Sequence, residues 1–455
     1  MTKLIPRQYI PVLCVILSIV MSVLDGTIMN VALPTLTEEF GIEPDTSIWI
    51  VNAYQMVIMM FLLIFSALGD IYGYRKIFLS GTFIFTVASG LCVLSINFPM
   101  LIVSRILQGI GAACVMSVNT ALIRQIYPPH YLGRGMSYNA MAVAISSVAG
   151  PTIAGLILSS LSWHWLFAIN LPFGIIALAL GTKYLPANIR NNKRKIDFWS
   201  CAGNALTFGL LIYAVEGFAH KESLGLITFL FIAFLVIGFL YIRKQLHTDT
   251  PLLPVDLLRI PLFTLSVTTS IGSFMAQMLA MVSLPFYLQD VMGFSPAEIG
   301  ILITPWPLAT FLIAPVAGRL VEKVHPGFLG AIGMLFFASG LLLLYFLPAH
   351  AGSFEIGWRI VLCGIGFGLF QTPNNFTLVS SAPAHRSGGA SGMLGMARLV
   401  GQTVGTTSVA IVFTLMSHTD GAELCLLIGA IVALLAGVSS ISRIGNALPA
   451  TQKKK

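Results

Sequence analysis

Long runs of apolar residues, separated by short polar stretches, follow one another along the whole chain. A transmembrane helix needs about 20 consecutive, mostly apolar residues, and no loop between these runs is long enough for a soluble domain. The pattern therefore predicts an all-α polytopic membrane protein with fourteen spans. They are expected near 8–33, 48–70, 76–96, 100–122, 134–158, 163–185, 199–217, 224–243, 263–289, 297–320, 328–347, 357–379, 388–416 and 422–442.

The positive charges test this count independently of hydropathy, because cytoplasmic loops collect Lys and Arg. If the N-terminus is cytoplasmic, 21 of the 25 Lys and Arg residues fall in the inside segments, and most acids collect outside. A missed span would scramble this alternation, so both termini are predicted to be cytoplasmic. Two cations, Arg105 and Arg398, fall within spans instead.

Composition agrees with this interpretation. The 455 residues are 56% hydrophobic and 9% charged, with a mean hydropathy of +0.89, which a soluble surface does not allow. The net charge of +8 comes from short loops, and no nucleic-acid-binding motif is present, so topology explains it better than nucleic-acid binding. The six cysteines lie within or beside apolar spans without C-x-x-C spacing, and we interpret them as core residues.

One acid, Asp25, interrupts the first apolar run within LDGTIMNVALP. A charge inside the bilayer costs about 2.5 kcal/mol or more, so such an acid is normally protonated, paired or solvated. It either exchanges a proton during transport or is a structural acid neutralised by an arginine. Arg105 in the fourth span lies at comparable depth and is either its partner or a cation that snorkels to the interface. Pairing favours the ionised carboxylate and burial the protonated one, and both remain open.

Two further stretches carry recognisable chemistry. The stretch SALGDIYGYRKIFL places Asp70, Gly73 and Arg75 in a short cytoplasmic loop, in which Gly73 permits a tight turn. These charges either latch two helices together or form an ordinary solvated hairpin. SSVAGPTIAG in the fifth span brings small residues to a helix surface around Pro151, which we expect to be buried and to kink the helix. Generic helix packing explains this second pattern equally well.

These stretches resemble signature motifs of the major facilitator superfamily. The matching positions are Asp70, Gly73 and Arg75 in the loop motif; Arg105, Gln108 and Gly109 in the arginine motif; and Gly150, Pro151 and Gly155 in the antiporter motif. The loop motif departs from the pattern at Ser66 and Ile71, and the antiporter motif at Ser146 and Ala154.

LDGTIMNVALP, WIVNAYQ and WHWLFAINLPFGI resemble the fourteen-span drug:proton antiporter branch. This resemblance covers nearly the whole chain and implies two six-helix bundles with two inserted helices. The expected domains are an N-terminal bundle at 1–186, connectors and inserted helices at 187–262, a C-terminal bundle at 263–445 and a basic tail at 446–455.

The second half contains a weak repeat of the loop motif, with Glu322 in the place of Asp70. Polar or adaptable residues inside spans are candidates for a substrate cavity, although each polar one more often makes a helix-helix hydrogen bond. These candidates are Asn30, Gln277, Met281, Gln371, Asn374, Asn375, Arg398 and Gln402.

The resemblance implies a proton-coupled exporter of amphipathic or cationic organic molecules in a bacterial inner membrane, working by alternating access. Asp25 would carry the proton, and Arg105 would adjust the charge state of Asp25. The loop motif and the antiporter motif would control helix rocking and gating. No ATP-binding, metal or nucleophile motif is present, so we expect no cofactor other than the proton gradient, no nucleic-acid partner, and a monomer in the bilayer. An importer or metabolite exporter of the same fold is the alternative, and a membrane-embedded enzyme or receptor is a remote one.

Overall fold

The computed structural model describes residues 9–187, 197–219, 223–248, 251–348 and 351–445, and all regular secondary structure within them is helical. The predicted basic tail at 446–455 lies outside the described residues. The helices are α1 (Tyr9–Phe40), α2 (Pro44–Ser47), α3 (Trp49–Tyr72), α4 (Tyr74–Val93), α5 (Phe98–Ile126), α6 (Leu132–Ser160), α7 (His164–Ala168), α8 (Asn170–Tyr184), α9 (Phe198–Ala219), α10 (Leu224–Leu246), α11 (Pro261–Asp290), α12 (Pro296–Ile303), α13 (Pro305–Leu320), α14 (Pro326–Tyr345), α15 (Ser353–Ser381), α16 (Ser387–Leu415) and α17 (His418–Ile441).

The long helices coincide with the predicted apolar runs, because an apolar segment in a bilayer must satisfy its backbone hydrogen bonds internally. Thirteen helices in the described residues are long and apolar enough to cross a membrane. The stretch Phe198–Ala214 within α9 is a further, shorter apolar helix. These helices are typical of a protein that crosses the membrane many times, while the count of fourteen and the cytoplasmic termini stay predictions.

Two predicted spans are each divided into two helical pieces. The sixth is divided at Ile169 between α7 and α8, and the tenth at Thr304 between α12 and α13. Both junction residues keep right-handed helical backbone angles. Pro305 follows the second junction directly, and since proline has no backbone N–H, a regular helical hydrogen bond is missing there.

The helices group into two compact units that do not follow chain order. The first comprises the described residues of Met1–Pro128, Ser146–Asp256 and Pro383–Gly395, and the second those of Pro129–Ile145, Leu257–Ala382 and Met396–Lys455. The inserted helices α9 and α10 therefore belong with the first unit. Helices α6 and α16 each begin in one unit and end in the other.

The same helix contact recurs in both units. In the first, a Cβ added to Gly111 of α5 would lie 2.8 Å from the Gly81 carbonyl oxygen of α4. In the second, a Cβ on Gly366 of α15 would lie 2.6 Å from the Gly333 carbonyl oxygen of α14. Glycine permits these close approaches because it has no side chain. In the first unit the contact fixes α5, the helix that carries Arg105.

Candidate functional site

Asp25 of α1 is buried, with 1% of its surface exposed, and three side chains donate hydrogen bonds to its carboxylate. Arg105 Nη1 lies 2.5 Å from Oδ2, while Gln108 Nε2 at 2.8 Å and Asn170 Nδ2 at 3.0 Å both donate to Oδ1. The donors come from α5 and α8, so three helices meet at one acid. The structure thus brings together Asp25, Arg105 and Gln108.

Arg105 is itself completely buried. Its Nη1 also donates to Gln108 Oε1 at 2.6 Å, and its Nε donates to the Ile50 carbonyl oxygen at 2.9 Å. The guanidinium lies 4.3 Å from the ring centroid of Tyr54, a cation–π contact. Snorkelling, the alternative interpretation of Arg105, is therefore wrong, because the side chain turns inward to the acid.

Two members of this network extend it beyond the pair. Gln108 Nε2 also donates to Ser89 Oγ at 3.0 Å, which connects the acid to α4. Asn170 was not among the residues that the sequence singled out for the site. The available signal was its position: an amide inside the apolar stretch WHWLFAINLPFGI, where a polar side chain needs a partner.

This arrangement can hold a charge inside an apolar bundle. An ionised carboxylate accepts hydrogen bonds only, and here it accepts three from a cation and two amides. A proton placed on Asp25 would remove its charge and weaken the ion pair, leaving the Arg105 cation to find other acceptors. The contacts of Arg105 with Asp25 therefore depend on the charge of the carboxylate.

The antiporter-like motif lies against α1 near this acid. A Cβ on Gly150 would lie 2.7 Å from Thr27 Cβ, and Thr27 Oγ1 donates to the Ser146 carbonyl oxygen at 3.4 Å. Ser146, Gly150 and Ala154 are all buried. They are four residues apart, so they share one helical face.

The prediction that Pro151 is buried is wrong. Pro151 and Gly155 are both exposed on the surface, and a Cβ on Gly155 would meet no atom within 4 Å. Each is one residue further along α6 than a buried position, which turns it about 100° away from α1. Close packing in this motif thus depends on Gly150 and its neighbours four residues away.

Asp70 of the loop motif caps the first turn of α16. Its Oδ1 accepts from the Gly388 N–H at 2.8 Å and from the Tyr74 hydroxyl at 2.7 Å, and its Oδ2 accepts from the Gly389 N–H at 3.2 Å. A carboxylate at a helix N-terminus satisfies unpaired N–H groups and interacts favourably with the helix dipole. We call Asp70, Tyr74, Gly388 and Gly389 the α16 cap.

The rest of the loop motif differs partly from expectation. Gly73 has a positive φ of 96°, as a tight turn between α3 and α4 requires. Arg75 donates to the Thr182 carbonyl oxygen. Asp70 joins the end of α3 to the start of α16.

Glu322 makes the corresponding contact in the second unit. Its two oxygens accept from Arg134 Nε at 2.8 Å and Nη2 at 2.9 Å, which joins the end of α13 to the start of α6. A Cβ on Gly133 would lie 2.8 Å from the Gly318 carbonyl oxygen, so the backbones approach closely beside the ion pair. The repeat of the loop motif therefore also holds two helices together. Here an arginine donates to the acid, whereas backbone N–H groups donate to Asp70.

The cavity candidates divide between the units. Gln277, Met281, Gln371, Asn374, Asn375, Arg398 and Gln402 belong to the second unit, while the side chain of Asn30 lies outside the described residues. Asn374 Nδ2 donates to Ser270 Oγ at 2.8 Å, joining α15 to α11, and Met281 packs against the apolar core. Asn374 therefore makes a helix–helix hydrogen bond, which is the alternative to a role in substrate binding. A substrate cavity shared by the candidate residues stays a prediction.

The Major Facilitator Superfamily family model matches residues 15–406 of the chain. The chain belongs to the major facilitator superfamily. It is thus a multi-pass membrane transporter rather than an enzyme, of a family that moves small organic substrates across membranes. Its place in the fourteen-span antiporter branch stays a prediction.

Three curated relatives extend over most of the chain. It is 54% identical to the uncharacterized transporter YebQ of Escherichia coli (strain K12), over 97% of this chain and 96% of the relative. It is 30% identical to the riboflavin transporter RibZ of Clostridioides difficile (strain 630), over 88% and 87%. It is also 30% identical to the tetracenomycin C resistance and export protein of Streptomyces glaucescens, over 89% and 76%.

A solved structure supports the fold alone. The human organic anion transporter MFSD10 (TETRAN) superposes with a TM-score of 0.69 at 17% identity, covering 96% of this chain and 100% of that chain.

Proposed function

We propose that the protein is a proton-coupled exporter of amphipathic or cationic organic molecules in a bacterial inner membrane, with both termini cytoplasmic. The observation that carries this proposal is the buried Asp25, held by Arg105, Gln108 and Asn170. An ionisable group inside a membrane bundle marks a proton or substrate pathway by default. The driving force is the proton gradient, with no further cofactor, and the working unit is a monomer.

The transport cycle follows from the two charge states of Asp25. When the site opens outward, Asp25 takes a proton and its ion pair with Arg105 weakens. When the site opens inward, the proton leaves and the three-donor arrangement forms again. Alternating access moves a substrate outward in the other half of the cycle.

Gating falls to the two contacts that join helix ends. The α16 cap ties the end of α3 to the start of α16, and Glu322 with Arg134 ties the end of α13 to the start of α6. Such contacts form in one state of the cycle and break in the other. Close packing of Gly150 on Thr27 keeps α6 against the helix that carries Asp25.

An efflux role is supported by the tetracenomycin C resistance and export protein and by the antiporter-like motif around Gly150. The second candidate function is proton-driven import of a metabolite. The relative RibZ, a riboflavin transporter, supports a substrate of this kind. Export and import would move the substrate in opposite directions across the membrane of the same vesicle, so one transport measurement separates them.

That measurement uses everted membrane vesicles whose interior has been made acidic. An exporter accumulates a fluorescent lipophilic cation such as ethidium in the lumen and releases luminal protons, whereas an importer does not accumulate its substrate there. Riboflavin serves as the second probe. Asp25→Asn should abolish accumulation, while Glu38→Gln, an exposed acid on the same helix, should not. Undiminished proton-coupled transport by Asp25→Asn would refute the role of Asp25.

A further inference from the structure

The segment Pro251–Asp256, which follows the second inserted helix, is held to that helix by one buried side chain. Gln245 is completely buried near the end of α10. Its Oε1 accepts from the Leu252 N–H at 2.6 Å and the Leu253 N–H at 3.3 Å, and its Nε2 donates to Ser200 Oγ at 2.8 Å. One amide therefore joins α10, α9 and this segment, which we call the connector.

The inserted helices are in turn fixed to α3. Asn204 of α9 is completely buried and donates from Nδ2 to the Met60 carbonyl oxygen at 2.8 Å, and the Tyr241 hydroxyl of α10 donates to Asn204 Oδ1 at 3.2 Å. Leu252 of the connector packs with Ile64 and Ala67 of α3. The inserted pair and the connector therefore rest on the helix whose end carries Asp70.

The far end of the connector holds the arginine that precedes α16. Arg386 is 4% exposed and donates to Asp256 from Nε at 2.9 Å and Nη2 at 2.6 Å. Its Nη2 also donates to the Pro251 carbonyl oxygen at 3.2 Å, so both ends of the connector bind it. On its other side, Nη1 lies 3.8 Å from Asp70 Oδ2.

These contacts form a continuous path from Gln245 to the α16 cap. The guanidinium group of Arg386 is oriented by a bidentate ion pair with Asp256. A bidentate pair is a strong arrangement of a guanidinium and a carboxylate. The longer contact with Asp70 is thereby held in place rather than made independently. The Arg386 cation thus lies beside the carboxylate that accepts from the Gly388 and Gly389 N–H groups.

We propose that the inserted helix pair positions the α16 cap: Gln245 fixes the connector, and Asp256 holds Arg386 against Asp70. Gln245 and Asp256 are thus positioning residues of the gate, and neither touches the buried Asp25 network. This inference rests on the gating role in the proposed function, but its conformational test requires neither a substrate nor a proton gradient.

The test measures how often the start of α16 separates from its neighbours. Ser391 of α16 is 2% exposed and accepts from Thr120 Oγ1 at 2.8 Å, so a cysteine there reacts with a membrane-permeant maleimide only when this contact opens. Each substitution is combined with Ser391→Cys in membrane vesicles. The same substitution without Ser391→Cys gives the background from the six native cysteines.

Gln245→Met keeps the side-chain length but removes both polar groups, and Asp256→Asn removes the charge from the pair with Arg386. Each should raise the maleimide labelling rate at least threefold, and Asp70→Asn, which alters the cap directly, should do the same. Asp256→Glu should restore a rate within twofold of the parent. His247→Ala, an exposed change beside Gln245, and Glu38→Gln, an exposed acid of the same unit, should leave the rate unchanged.

An unchanged labelling rate in both Gln245→Met and Asp256→Asn, with a raised rate in Asp70→Asn, would overturn the proposal while leaving the cap intact. Lower thermal stability without faster labelling would also overturn it, since it would assign these residues a merely structural role. Raised labelling in a protein that fails to couple protons would support the proposal and refute the proposed function separately.

Discussion

Arg105 Nη1 lies 2.5 Å from Asp25 Oδ2, and neither side chain is accessible to solvent. The two residues are 80 positions apart in sequence and lie on α1 and α5. A buried pair of this kind is weak support for stability by itself, since both charges lose their hydration. Removing one member, however, leaves the other charge buried and uncompensated.

Arg105→Gln should therefore lower the free energy of unfolding by about 3–5 kcal/mol, the usual cost of breaking a buried pair. The double variant Asp25→Asn with Arg105→Gln should recover most of this loss, because no charge then stays buried alone. Unfolding by sodium dodecyl sulfate in mixed micelles measures both. The control is Arg75→Gln, since Arg75 is partly exposed and donates to the Thr182 carbonyl oxygen. Equal losses in the single and double variants would contradict the pairing argument.

Gly150→Ala should slow transport, because its Cβ would lie 2.7 Å from Thr27 Cβ. The helices α1 and α6 would have to separate, at a cost of about 1–3 kcal/mol in unfolding free energy, as for other overpacked sites. Gly155→Ala is the matched control on the same helix, since its Cβ would meet nothing within 4 Å. Uptake rates and thermal unfolding of the two variants are compared directly. Indistinguishable behaviour would show that Gly150 is not needed for this contact.

Glu322→Arg should impair transport by placing two cations together at the contact between α13 and α6. The exchange variant Glu322→Arg with Arg134→Glu should restore much of the rate, because it rebuilds the ion pair in reverse. Stability should change by only about 0–1 kcal/mol, since the pair is partly exposed. Transport rates in vesicles measure the effect, and a double variant no better than the single one would argue against a gating pair.

His325 should make stability depend on pH. It precedes α14, and its Nδ1 accepts from the Gly327 N–H at 3.1 Å. Burial, together with the nearby Arg443 guanidinium, lowers the pKa of His325 in the folded protein. Its stabilising contribution is therefore complete above the unfolded pKa of about 6.5 and is lost as the pH falls toward the lower folded value.

His325→Asn should flatten this dependence, because asparagine can accept the same N–H but does not titrate. Thermal unfolding between pH 7.5 and pH 5 should thus fall less in His325→Asn than in the parent. The exposed His247 provides the control, as His247→Asn should keep the parent slope. The same slope in all three proteins would remove His325 as the cause.

Local patterns in the sequence were sufficient for the helices. Apolar runs locate α1, α3, α4 and α5 to within a few residues at most ends, since each run must form its own hydrogen bonds in a bilayer. The largest difference is α1, which continues to Phe40 beyond the predicted end near residue 33. Its last turns carry Glu38 and Glu39, so the hydropathy signal stops before the helix does.

The sequence also located Asp25 and Arg105 and identified their family motifs, because a charge in an apolar run is conspicuous by itself. It did not distinguish Asn170 from the other amides in the spans, because its partner Asp25 is 145 positions away in sequence. Nor could it find the role of Asp256 and Arg386, which look like ordinary loop charges. The burial of Pro151 was wrongly predicted for a related reason, since the face that α6 presents depends on its neighbours.

By itself, then, the sequence determined which segments are helices and that Asp25 and Arg105 lie among them. Both follow from the free energy of transferring residues between water and lipid, which acts on each segment separately. Only the tertiary structure decided the partners: Asn170 and Gln108 for Asp25, the α16 N–H groups for Asp70, and Thr182 for Arg75. These partners depend on how helices distant in sequence turn and pack against one another, and hydropathy carries no information about that arrangement.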